Sequence, residues 1–88
     1  MKDIKRFFRG NQLVNIPKKE KDKVLLFDYL ITFFDKEIIY TEKEINNILR
    51  EFYSDYAILR RYLVDFGYLS RESDGSSYTV IERKVIKK

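Results

Sequence analysis

Apolar residues recur through most of the chain at the spacing of a helix, and near its end at the spacing of a strand. Leu59, Tyr62, Leu63 and Phe66 fall at i, i+3, i+4 and i+7. They therefore line one side of a helix and leave Arg61 close to the opposite side. Ser54 is a suitable N-cap, Asp55 suits the positive end of the helix dipole, and Gly67 supplies the left-handed residue that stops a helix. A Schellman stop at Gly67 would fold Tyr68 back onto Leu63 and set the angle at which the chain leaves towards Leu69.

Upstream, Thr41-Glu42-Lys43-Glu44 reads as a capping box. The Thr41 hydroxyl accepts from the Glu44 amide while the Glu44 carboxylate reaches back to the Thr41 amide. The helix it opens buries Ile45, Ile48, Leu49 and Phe52 and turns Lys43, Asn46, Asn47, Arg50 and Glu51 outward. Only Tyr53 and Ser54 then separate it from the next helix, and so tight a connection forces a sharp crossing, as in a helix-turn-helix. Further upstream, Pro17 suits a helix start and Lys18 to Phe34 is predicted as the first long helix. Val24, Phe27, Leu30, Ile31 and Phe34 share one broad side, widened by Leu26 and Phe33. Leu25 and Tyr29 fall on the other side among Lys21, Asp28 and Thr32, so a cover is expected: either the N-terminal arm or a second subunit.

Beyond Gly67 the period changes to two. Leu69 to Glu72 and Ser77 to Ile81 flank Ser73-Asp74-Gly75-Ser76, and Asp-Gly between alternating segments predicts a hairpin. Ile38-Ile39-Tyr40 has room for one strand and is the natural third, because an isolated two-stranded ribbon is marginal in water. Residues 1–17 form an arm. Asp3 to Arg9 suits one or two helical turns with Ile4, Phe7 and Phe8 inward, Gly10-Asn11 a turn, and Gln12 to Ile16 a short extended segment. Leaving two adjacent Phe in water forfeits roughly 1.5–3 kcal/mol each, so the arm is expected to pack on the core. Residues 82–88 read as a basic tail. The predicted fold is mainly α with a small antiparallel sheet: a winged helix-turn-helix over residues 18–81 with an N-terminal arm.

Composition narrows the chemistry. Eighty-eight residues, 44% hydrophobic and 16% aromatic with three Gly and one Pro, make one globular domain. Without Cys or His, disulfides, thiol nucleophiles, zinc sites and the commonest proton shuttles are excluded. Carboxylate pairs such as Glu42/Glu44 are explained by capping, and no glycine-rich phosphate loop occurs. No catalytic activity, cofactor or metal is expected. No apolar run approaches the ~18 residues that cross a bilayer, and the first residues lack a signal peptide's apolar core, so a cytoplasmic protein with no membrane partner is expected.

The net charge of +4 is unevenly spread: residues 1–23 hold eight Lys/Arg against three acids, 24–81 six against ten, and 82–88 four against one. In a winged helix the third helix can enter the major groove of DNA and the wing can touch the backbone. Ala57, Arg61 and Asp65 are its outward candidates, flanked by Ile58 and Arg60. Arg61 suits either a bidentate contact to guanine or an i,i+4 pair with Asp65. Arg60 suits a structural pair with a carboxylate such as Asp55 or Glu44. Lys43, Asn46, Asn47, Arg50, Arg71, Lys18 and Lys19, with Lys21 and Lys23, are ordinary surface residues singly and the phosphate-contacting set together. Most aromatics lie on buried stripes; Tyr29, Tyr53 and Tyr78 are those whose exposure would signal base stacking. The alternative is a non-catalytic protein-interaction or dimerisation module of the same fold that does not itself bind DNA, with Leu25, Tyr29 and the arm as its contact surface.

Several segments resemble a small bacterial family known as domain of unknown function twenty eighty-seven. They are Gly10 to Lys21 with Ile16-Pro17-Lys18-Lys19, Tyr40 to Asn46, Asp55 to Gly67, and Asp74 to Tyr78, with Leu59-Arg60-Arg61-Tyr62-Leu63-Val64-Asp65 the most specific. Phe66, Ser70 and Thr79-Val80 depart from the family's pattern. The resemblance implies a transcription-regulator association, in members that stand alone or ride behind an ordinary helix-turn-helix, and brings no catalytic residue.

Overall fold

Thr41 joins the two halves of the molecule. It ends one strand and caps the following helix, its hydroxyl accepting from the Glu44 amide at 3.1 Å while the Glu44 carboxylate accepts from the Thr41 amide at 2.9 Å. The computed structural model describes residues 4–81, so the basic tail expected over 82–88 lies outside the described residues. These form β1 (Phe8–Arg9), β2 (Gln12–Leu13), α1 (Glu20–Leu30), β3 (Ile39–Thr41), α2 (Glu42–Leu49), α3 (Tyr56–Asp65), β4 (Leu69–Arg71) and β5 (Ser77–Val80). Strands β3, β5 and β4 make an antiparallel sheet in that order, with Tyr40 opposite Tyr78 and Arg71 opposite Tyr78 on the other side. Strands β1 and β2 make a separate ribbon. Three helices and a small antiparallel sheet agree with the predicted class.

The core lies between the helices and one face of the sheet. Leu26, Phe27, Leu30, Ile45, Leu49, Leu59 and Leu63 are fully buried, and Tyr68, Leu69 and Tyr78 close it from the sheet side. Phe27 sits at its aromatic centre, with the rings of Phe66, Tyr62 and Tyr68 at 5.2, 5.8 and 5.9 Å. The exit of α3 is a Schellman motif. Gly67 has φ 82°, the Tyr68 amide donates to the Leu63 carbonyl at 2.8 Å, and the Gly67 amide to that of Val64 at 3.1 Å. The turn drives Tyr68 into the core, where its hydroxyl donates to the Asp28 carboxylate at 2.6 Å.

The helix boundaries differ from the periodicity. The first helix starts at Glu20 rather than Lys18, since Lys19 is extended (φ −73°, ψ 138°), and Glu20 and Asp22 occupy its positive end. It ends at Leu30 and tightens into a 3-10 turn over Ile31–Phe33, where the Thr32 hydroxyl donates to the Tyr29 carbonyl at 2.6 Å. That turn swings Phe33 out to 48% exposure instead of into the core. Helix α2 stops at Leu49, three residues short of Phe52, so residues 50–55 rather than Tyr53 and Ser54 alone connect it to α3. The connection is still compact, because the amides of Glu51 and Phe52 bond back to Ile48 and Leu49 at 3.3 and 2.9 Å. Asp55, not Ser54, caps α3 by accepting from the Ile58 amide at 3.4 Å.

The described residues ahead of α1 have a different local structure from the one their pattern suggests, and several of them join the core. Lys5–Phe7 make one 3-10 turn, and Phe8–Arg9 pair with Gln12–Leu13 as a hairpin instead of continuing a helix. Phe7 and Leu13 are buried. The ribbon captures carbonyls of the connection that follows α2: the Leu13 amide donates to Phe52 and the Gln12 side chain to Glu51, both at 2.7 Å. Arg6 pairs with Asp22 at 2.8 Å, and the Phe8 ring meets Tyr29 edge-on at 5.6 Å. Among the described residues no helix is long and apolar enough to cross a membrane.

Candidate functional site

Helix α3 presents Ala57, Arg61 and Asp65 outward, all exposed, at the i, i+4 and i+8 positions opposite the buried Leu59 and Leu63. The Arg61 side chain is 77% exposed and lies 3.8 Å from Asp65. Two exposed groups at that distance are worth a few tenths of a kcal/mol, so both remain available.

Arg60 behaves otherwise. Its guanidinium donates to the Asn46 side-chain oxygen and lies 3.8 Å from Glu42, with only 21% of the side chain exposed. The structural pair foreseen for Arg60 thus exists, but with Glu42 and Asn46 of α2 in place of Asp55 or Glu44. It pins α3 across α2, and it occupies Arg60 and Asn46 with each other. The buried Tyr78 of β5 extends the same network, its hydroxyl donating to Glu42 at 3.2 Å. Burial, and next the negative charge of Glu42, push the Tyr78 phenol above its ordinary value, so it stays protonated and donating at neutral pH.

The hairpin completes the site. Arg71, the last residue of β4, is exposed, and its guanidinium lies against Gly75 of the turn, where an added Cβ would meet it at 3.2 Å. Asp74 accepts from the Ser76 amide and hydroxyl at 2.9 and 2.7 Å, bonds that hold its carboxyl below the usual range. Between α3 and the hairpin lies a crevice of about 390 Å³ lined by Glu42, Arg60, Arg61, Val64, Asp65, Arg71 and Tyr78. It brings three of the sequence candidates, Arg60, Arg61 and Arg71, to one place.

The others surround it. Lys43, Asn47 and Arg50 are exposed at i, i+4 and i+7 along α2 and just past its end, with Arg50 at 5.4 Å over the Tyr56 ring. Lys18 and Lys19 are exposed ahead of α1, and the Lys23 ammonium, 5.6 Å from the Tyr62 ring, ties that end of α1 to α3. Of the three tyrosines whose exposure would signal base stacking, Tyr78 is buried, Tyr53 is half-buried, and Tyr29 is exposed but met edge-on by Phe8 and Phe33. Glu42 and Tyr78 were missed as site residues. The signal for them was indirect: Glu42 follows the cap where β3 meets α2, and β3 pairs with β5 opposite Tyr78.

No curated protein and no solved structure matches the chain. A family model matches residues 12–80, from the second strand of the ribbon to the last strand of the sheet. The chain belongs to that family, described as uncharacterised proteins conserved in bacteria (DUF2087).

Proposed function

We propose that α1 to β5 form a winged helix-turn-helix and that the domain binds duplex DNA in transcriptional regulation. In this reading α3 enters the major groove with Arg61 on a base edge, the β4–β5 hairpin is the wing with Arg71 on a phosphate, and Lys43, Asn47, Arg50, Lys18 and Lys19 hold flanking phosphates. Arg60 and Asn46 leave the contacting set and serve to orient α3 on α2. The observation that carries the reading is the exposed Ala57-Arg61-Asp65 stripe beside the arginine of the hairpin. Asp65 opposes it, and Arg61 offsets that charge locally.

The test is a titration of mixed-sequence duplex at several salt concentrations. Binding at about 50 mM salt with a log-log slope equal to several released ions is expected, reduced by about one for Lys19→Gln, whereas Arg61→Ala should flatten differences between sequences. A second reading, self-association through the arm side, has its own support: Tyr29 and Phe33 remain 37% and 48% exposed in a cluster with Phe8 and Phe52. Titrations without salt-dependent binding, together with a concentration-dependent dimer abolished by Phe33→Ser, would replace the first reading by the second.

A further inference from the structure

Three guanidinium groups share the crevice between α3 and the hairpin with two carboxylates, and the carboxylates are already answered. Glu42 accepts from Tyr78 and faces Arg60, and Asp65 faces Arg61. The arginines differ in freedom. Arg60 is fixed to α2, Arg61 is held only by an exposed pair, and Arg71 has no carboxylate within ion-pair distance among the described residues. Two exposed guanidinium forks, from a helix and a hairpin, thus open onto one crevice whose third wall is the Arg60 guanidinium. Forks of this kind recognise phosphate oxygens bidentately, and here two of them face one crevice.

We infer that the crevice is a phosphate site, in which one oxyanion bridges Arg61 and Arg71. Its approach displaces Asp65 from Arg61, a small loss because both partners are exposed. Glu42 contributes little repulsion, being hydrogen-bonded by Tyr78 and faced by Arg60. The volume of about 390 Å³ lies within the range of small-molecule sites, roughly 300–1,000 Å³. The oxyanion therefore belongs either to a nucleotide-sized phosphorylated molecule or to a duplex backbone. For the second source the inference rests on the DNA reading and moves Arg61 from the base edge to the backbone phosphate; for the first it stands without it.

The experiment is an NMR titration of the full chain with inorganic pyrophosphate at constant ionic strength, reading the Gly75 amide and the arginine side-chain resonances. Saturable shifts are expected, weakened about tenfold by Arg61→Gln or Arg71→Gln and only partly restored by Arg71→Lys, with Lys36→Gln, an exposed position outside the proposed contacting set, unchanged. Both arginines are exposed, so neither substitution threatens folding. Shifts that never saturate, or that fall equally in Lys36→Gln, overturn the inference. Duplex DNA forms the second arm. Pyrophosphate that competes with duplex assigns the site to the backbone phosphate, and saturation without any duplex binding assigns it to a small phosphorylated ligand and removes the DNA reading instead. Duplex binding indifferent to Arg71→Gln, with no pyrophosphate saturation, leaves that reading and removes the phosphate site.

Discussion

The two hairpins begin from similar chemistry and end in different employment. Each turns at a glycine of positive φ, Gly10 at 61° and Gly75 at 75°, between short strands. The β1–β2 ribbon has no further strand to join. It docks through the buried Phe7 and Leu13 and by meeting the Glu51 and Phe52 carbonyls after α2. The β4–β5 hairpin instead joins β3 through β5, needs only one face for the core, and leaves the other residues of β4 free to carry charge beside α3. Turn chemistry decides that a hairpin forms; what the strand edges and faces meet decides whether it becomes a patch on the core or part of a site.

The largest expected effects lie in the core anchors. Tyr78→Ala removes a 2% exposed ring and its bond to Glu42, and Leu13→Ala removes a 4% exposed side chain. Losses of about 3–5 and about 2–4 kcal/mol are expected in denaturant unfolding. The comparison sharpens if Tyr78→Ala also abolishes pyrophosphate binding while Leu13→Ala, in the fraction that remains folded, does not. Equal effects on binding would mean that the hairpins are not distinct in role.

Glycine substitutions come next. Gly10→Ala and Gly75→Ala each force an L-residue into the left-handed region, costing about 1–2 kcal/mol. At Gly10 the new Cβ meets nothing, whereas at Gly75 it presses on the Arg71 guanidinium at 3.2 Å. Similar melting temperatures are therefore expected for the two variants, with weakened anion binding in Gly75→Ala alone.

The smallest effect is on pH dependence. The folded state holds the Tyr78 proton more tightly than the unfolded chain, whose phenol has the ordinary value of 10.0. Its contribution is thus complete below that value and is lost as pH rises through the higher folded value. Tyr78→Phe should flatten this alkaline limb of the stability curve. Asp74 runs the opposite way. Its carboxyl is lowered from 3.8 by Ser76, so what it contributes is present above that value and lost as pH falls through the folded one. The Gly10-Asn11 turn contains no titrating group and should lack this acid limb.

Local signals were legible wherever the chain closes a structure on itself. The capping box at Thr41, the Schellman stop at Gly67 and the Asp74-Gly75 turn depend on neighbours a few residues apart, and each forms as its residues predict. Boundaries governed by distant contacts were not. The chain that follows α2 gives its Glu51 and Phe52 carbonyls to Gln12 and Leu13, dozens of residues upstream, and Phe33 lies outside the core against Tyr29 and Phe52. The outward position of Arg61 followed from periodicity. The partners of Arg60 did not, since periodicity says which side a residue is on but not which side chain of a crossing helix meets it.

Strand β3 hands over to α2 at a single shared residue, and Arg60 ties α3 to α2 across the connection of residues 50–55. Whatever approaches Arg61 and Arg71 meets a surface already in shape, so association should lose little freedom of the main chain. A stiff corner of this kind would favour partners that match its outline over partners that require it to adapt.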